Sequence, residues 1–170
     1  MKIETIKEHI SARNTFLYCI LDGATVLDLP QQLFKYDLPN FCLFGGDLES
    51  NLAHVAPYVI CVPVEHEFTQ WVLKEGFGDD WGIFVHARRS LIEMRRHFRG
   101  IANSYDDNGN SRVFRFYDPR VLREFLPTYT PKELTAFFGN VDAFFAEAEN
   151  GENLIRFDLN DNVLTQTVLN

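Results

Sequence analysis

The sequence predicts an α/β fold: a central mixed or mainly parallel sheet of about five strands flanked by helices, with a short C-terminal helical and hairpin extension. Two observations predict it. Short apolar runs alternate with helical patterns through the first two thirds of the chain. The run Tyr58 to Val62 is apolar and β-branched on both faces, as a central strand covered by helices requires.

The elements follow in order. Ile3 to Ile10 reads as a short helix. Phe16 to Leu21 is a continuous apolar run closed by Asp22-Gly23, a buried strand and its turn. Asp28 stands at the N-cap of a helix reaching about Tyr36, with Pro30 in its first turn. Phe41 to Phe44 is a second strand stopped by Gly45-Gly46, and Leu52 to Val55 is a helical turn before Pro57. Tyr58 to Val62 is the third strand. Glu65 to Lys74 is a helix stopped by Gly76, and Gly82 to Val85 is the fourth strand. Ser90 caps a longer helix that fades near Ser104.

Asp106 to Asn110 reads as a turn, and Val113 to Tyr117 as the fifth strand. Pro119 to Leu126 and Pro131 to Phe138 are two helices, each with Pro at its start. Val141 to Ala148 is apolar and fits either helix or strand. Leu154 to Leu159 and Val163 to Leu169 flank Asn160-Asp-Asn162 as a terminal hairpin. A chain of 170 residues suits one domain, with 1–128 as the α/β core and 129–170 as a helical and hairpin extension packed on it.

Composition limits the function. The net charge of −8 works against nucleic-acid binding and against steering to anionic membranes. Cys19, Cys42 and Cys61 are odd in number, far apart and set in apolar runs, which points to free thiols in a reducing compartment. The N-terminus lacks a signal-peptide pattern, and no apolar stretch approaches the length of a membrane span. The expectation is a cytoplasmic protein.

No motif positively supports an enzyme or a cofactor. His66-Glu-Phe-Thr-Gln70 opens like a metalloprotease helix, but Gln70 occupies the position of the second His. Asp106-Asp-Asn-Gly-Asn110 is rich in oxygen ligands, yet Tyr117 stands where a calcium loop needs its closing Glu. The glycine clusters form no phosphate loop, and no nucleophile elbow is present. On the helix after Ser90, Arg95 falls within the apolar arc of Leu91, Met94, Phe98, Ile101 and Ala102. A charge placed there calls for an acid, and Asp118 or Asp22 is the expected partner. Asp118 also reads as the N-cap of the helix starting at Pro119. As a strand, Phe114 and Phe116 would face the core, with Arg115 and Tyr117 opposite.

Several segments together carry a family resemblance. They are Tyr18-Cys-Ile-Leu-Asp-Gly-Ala24, Leu52-Ala-His-Val-Ala-Pro-Tyr58, Phe68 with Trp71, Trp81-Gly-Ile-Phe84, Met94-Arg-Arg-His-Phe-Arg99 and Phe114-Arg-Phe-Tyr-Asp-Pro-Arg-Val-Leu-Arg123 with Phe125-Leu-Pro127. In this order they resemble the adaptor chaperones of the bacterial type VI secretion system, the Tap or Tec type, over about Phe16 to Val141. The resemblance implies a cytoplasmic, non-enzymatic adaptor whose partners are a toxic effector and a spike (VgrG-type) protein onto which the effector is loaded. Arg115, Tyr117, Arg120 and Arg123 are then the expected partner-binding residues, and Arg95, Asp118, Asp22 and Trp81 the structural ones. The alternatives are a toxin-neutralising immunity-like protein and a small enzyme or binding protein for an anionic metabolite, with Arg95, Arg99 and Arg115 converging.

Overall fold

The computed structural model describes residues 1–45, 50–105 and 111–170. Its elements are α1 (Ile3–Ile10), β1 (Phe16–Asp22), α2 (Leu29–Tyr36), β2 (Asn40–Cys42), α3 (Ser50–Val55), β3 (Pro57–Cys61), α4 (Glu67–Glu75), β4 (Gly82–Ala87) and α5 (Leu91–Ala102). There follow β5 (Asn103–Tyr105), β6 (Ser111–Val113), α6 (Pro119–Phe125), a short turn of 3-10 helix (Leu126–Thr128), α7 (Pro131–Phe138), β7 (Val141–Glu147), β8 (Leu154–Asn160) and β9 (Val163–Leu169).

One seven-stranded sheet runs in the order β2-β3-β1-β4-β7-β8-β9, and every hydrogen-bonded pair in it is antiparallel. This corrects the expected mixed or mainly parallel sheet of about five strands. The reason lies in β1. Strands β3 and β4 both run opposite to β1, so they are parallel to each other, joined through α4 as the strand-helix-strand alternation suggests. But β1 is inserted between them, pairing Ile20 with Val59 on one side and with Ile83 on the other. Local alternation reveals a crossover; it does not reveal which strand fills the gap.

The C-terminal segment is likewise not an extension. β7 pairs with β4 through Phe84–Phe145 and Val85–Phe144, and β8 and β9 continue the same sheet. Asp161 and Asn162 close the β8–β9 hairpin with φ of 50° and 63°, the left-handed pair that a two-residue turn demands and that Asp and Asn tolerate.

Strand alternation divides the core between the two faces. On one face Tyr18, Ile20, Val59, Val85, Phe144 and Phe157 meet Met94 and Phe98 of α5, Leu122 of α6 and Leu134, Phe137 and Phe138 of α7. On the other, Leu17, Cys19, Leu21, Ile60, Phe84 and Phe145 meet Ile6 and Ile10 of α1, Leu29 and Leu33 of α2, and Phe68 and Val72 of α4. The capping chemistry sets several of these helices. Ser90 with Glu93, and Thr130 with Glu133, form reciprocal capping boxes on α5 and α7. His66 caps α4, its Nδ1 accepting from the Phe68 N–H at 3.1 Å.

Val113 to Tyr117 is not the fifth strand. β6 ends at Val113, and the Asp118 N–H donates to the Arg115 carbonyl at 3.0 Å, turning the chain into α6. Phe116 and Tyr117 are consecutive and both buried, which an alternating strand between core and solvent does not allow. Phe116 stacks on Phe98 at 5.6 Å between ring centroids. Among the described residues no helix is long and apolar enough to cross a membrane.

Candidate functional site

The sequence from Phe114 to Thr128 surrounds α6, and two contrasting surfaces flank that helix. One is a charged cleft, the other an apolar groove.

The cleft forms where β1, the α4–β4 loop, α6 and the end of β7 meet. Asp22 terminates β1, and the chain must turn sharply there. At Gly23 a Cβ would stand 2.4 Å from the Ala56 carbonyl, so glycine alone fits. The Asp22 carboxylate is buried and accepts from the Ala24 N–H at 3.0 Å and from the Arg115 guanidinium. Asp118 is also buried. It caps α6 by accepting from the Arg120 N–H at 3.0 Å, and it binds the Arg120 guanidinium at 2.9 and 2.7 Å. Arg115 lies 3.6 Å from the same carboxylate. Burial raises the Asp118 pKa, but hydrogen bonds from Arg120 and the charges of Arg120 and Arg115 outweigh it, and the carboxyl is held below its ordinary value.

A second layer of charges lies beyond these pairs. Arg123 donates to the Glu147 carbonyl at 2.5 Å and lies 3.9 Å from Asp80, which also faces Arg120 at 3.6 Å. The Glu147 carboxylate accepts from the Gly78 and Asp80 N–H groups, each at 2.5 Å. Burial raises Glu147 most and the Asp80 carboxylate raises it further, so its pKa is pushed up to about 7 despite those two donors. Asp79-Asp80 reads in sequence as two loop neighbours; the positive φ of Asp80, 53°, is what turns it toward Glu147. Nothing local marks Glu147, which ends a strand whose identity was itself ambiguous.

The predicted partner-binding residues therefore separate. Arg120 is 58% exposed and Arg115 45%, so each keeps donors facing solvent, whereas Arg123 is 18% exposed and its guanidinium is engaged by backbone. Tyr117 is 1% exposed and packs edge-on to Phe116 at 5.6 Å; it belongs to the core and presents nothing to a partner. Its hydroxyl pKa is driven upward by burial and by Asp22.

The structural residues need one correction. Asp22 and Asp118, the acids expected for Arg95, are engaged by Arg115 and Arg120 instead. Arg95 lies over the Phe41 ring, 4.7 Å from its centroid, a cation–π contact. Arg95 lies inside the apolar arc of α5, and only tertiary packing brings Phe41 of β2 across from it. Arg115, the third arginine of the anionic-metabolite alternative, is turned to Asp22. Trp81 packs on Trp71 at 5.0 Å and fills the space over Gly76, where a Cβ would come within 2.4 Å of the indole. The Asp106–Asn110 turn lies outside the described residues, and among the described residues no group of three or more His, Cys, Asp and Glu is placed to hold a metal.

The apolar groove lies between α5, α6 and α7, with a volume near 720 Å³. Ile101, Phe114, Phe125, Tyr129 and Phe137 form its wall, and Arg96 and Glu133 stand at its rim. Phe125 is 44% exposed and meets Phe114 edge-on at 5.7 Å. His97 donates from Nε2 to the Phe137 carbonyl at 2.9 Å, and burial lowers its pKa. Phe125-Leu-Pro127 belongs to the segments that carry the family resemblance and reads locally as a helix end; the structure leaves Phe125 exposed and buries Leu126.

Fold and site together define an α/β protein built on one open antiparallel sheet, with an apolar groove and a pre-paired ionic cleft on either side of a short helix. The chain belongs to the family described as a domain of unknown function, DUF4123, whose model matches residues 17–136. That stretch runs from β1 into α7 and contains α6 entire, together with all the groove residues named above except Phe137. No curated protein and no solved structure matches the chain.

Proposed function

We propose that this protein is an adaptor chaperone of a type VI secretion system, which binds a toxic effector in the cytoplasm and helps load it onto a VgrG-type spike protein. Membership of the DUF4123 family and the ordered motifs from Tyr18 to Pro127 support this reading. The observation that carries it is the groove beside α6. An open apolar cleft rimmed by opposite charges, Arg96 and Glu133, offers the apolar centre and polar edge of a protein-recognition surface. The function is recognition without covalent chemistry, and the masked element is an apolar segment of the effector. Phe125 is the anchor, because it is aromatic, half exposed and backed by Phe114.

The test is co-purification of the effector and spike protein with tagged adaptor from cells expressing all three. Reversing Arg120 and Arg123 is a poor probe, since acids there would face Asp80 and Asp118 and would disturb the fold. Phe125→Glu and Arg96→Glu are better, because both side chains are exposed. Loss of effector recovery with an unchanged melting temperature is expected. Full recovery with both variants would remove the groove from the mechanism, and absence of both partners from the wild-type eluate would overturn the adaptor reading. Co-expression with active toxin separates the immunity-like alternative: an adaptor leaves the toxin lethal.

A further inference from the structure

We infer that β9 is a self-association edge, pairing antiparallel with β9 of a second copy about a two-fold axis at Gln166. The inference is independent of the adaptor reading.

β9 is the outer strand of the sheet and seven residues long, whereas the opposite outer strand, β2, has three. Long open edges are ordinarily blunted by charges, prolines or bulges. Val163-Leu-Thr-Gln-Thr-Val-Leu169 contains no charge, proline or glycine. Its pairing with β8 is regular throughout, from Asn160–Val163 to Leu154–Leu169. Val163 is 64% exposed and Val168 55%.

The identity of the occupant comes from symmetry. Asn162-Val-Leu-Thr-Gln-Thr-Val-Leu-Asn170 reads nearly the same in both directions about Gln166. Antiparallel self-pairing at that residue sets Thr165 against Thr167 of the second copy, Leu164 against Val168, Val163 against Leu169 and Asn162 against Asn170. Every pair joins like with like, and Thr–Thr and aliphatic cross-strand pairs are favourable. A strand from an unrelated protein would require no such symmetry.

The backbone register agrees. In a two-residue hairpin of left-handed turn residues the closing pair, here Asn160–Val163, exchanges both hydrogen bonds. Alternation then assigns Val163, Thr165, Thr167 and Leu169 to β8, and leaves the N–H and C=O groups of Leu164, Gln166 and Val168 pointing outward. These three positions are symmetric about Gln166. Two copies therefore meet donor to acceptor at each of them, in a self-complementary contact of the kind two-fold dimers use.

The experiment is light scattering after size exclusion on the full chain over a wide concentration range, with Gln166→Lys, Gln166→Glu and their equimolar mixture. The wild type is expected to approach twice 19.7 kDa. Each variant puts a like charge directly across the axis and should halve that mass. The mixture should regain it, since opposite charges then face each other, and this recovery also shows that both variants fold. A monomeric wild type at every concentration overturns the inference, including the case where β9 instead captures a strand of another protein. A dimer indifferent to both charges, or a mixture that stays monomeric, overturns it as well.

Discussion

Replacing Asp118 tests the ionic cleft most directly. Its carboxylate does two things: it caps α6 through the Arg120 N–H at 3.0 Å, and it holds the Arg120 side chain at 2.9 and 2.7 Å. Removing an N-cap acceptor costs about 1 kcal/mol. The ion pair adds about 0.5 kcal/mol, because Arg120 is 58% exposed and water replaces much of what it loses. Arg115 keeps Asp22. Asp118→Ala should therefore cost about 1.5 kcal/mol, or roughly 3–6 °C in melting temperature for a chain of this size. Asp118→Asn keeps an acceptor for the cap and should cost only about 0.5 kcal/mol. Thermal melts followed by far-ultraviolet circular dichroism separate the two. The sign of the pH effect is also fixed. The folded carboxyl lies below its ordinary value, so its contribution is present above the unfolded pKa of about 3.9 and is lost as pH falls through the folded value. The difference between wild type and Asp118→Ala should thus be constant near neutrality and shrink in acid. An Asn variant as damaging as the Ala variant would refute the cap as the main contribution.

Glu147 should behave in the opposite sense. Its folded pKa of about 7 lies above the unfolded value, so its contribution is full below about pH 4.3 and disappears as pH rises through 7. Stability should fall between about pH 5 and 8, and Glu147→Gln should flatten that slope; an unchanged slope in urea titrations would exclude Glu147 as its source. Phe116→Ala opens a cavity beside Phe98, Tyr117 and Phe137 and should cost about 3–5 kcal/mol in chemical denaturation; less than about 1 kcal/mol would mean the motif aromatic is not a core residue. Tyr18→Phe removes the donor to the Arg89 carbonyl at 2.5 Å and should cost about 1 kcal/mol by the same assay; a neutral result would mean water replaces that bond.

Much of the fold was legible because its signals are local. Thr130-Pro-Lys-Glu133 and Asp118-Pro119 fix helix starts through side-chain oxygens and a rigid φ, and α6 and α7 begin where those residues place them. Gly, Asp and Asn marked the β1 turn and the β8–β9 hairpin for equally local reasons. What was not legible depended on distant partners. Val141-Asp-Ala-Phe-Phe-Ala-Glu147 mixes strand-favouring Val and Phe with Ala, Asp and Glu, so locally it fits helix or strand; pairing with β4 and β8 makes it a strand. Phe114 to Tyr117 has the aromatic composition of a strand, yet Phe116 is needed against Phe98, and the turn at Arg115 delivers it. The site divides in the same way. Asp118 was readable from Asp-Pro, whereas Asp80 and Glu147 enter the cleft only through tertiary placement.

The position of β1 between β3 and β4 also orders events during synthesis. Once Ala87 has left the ribosome, β1 has neighbours on both sides and its backbone groups are satisfied. β4 does not: its outer edge waits for β7, which ends at Glu147. At about 5–20 residues per second those roughly 60 residues take on the order of 3–12 s. For that interval the nascent chain displays a β-rich, largely apolar edge at Ile83 to Ala87. Protein yield should therefore depend on translation speed and on holding factors at the ribosome more than the stability of the finished sheet would suggest.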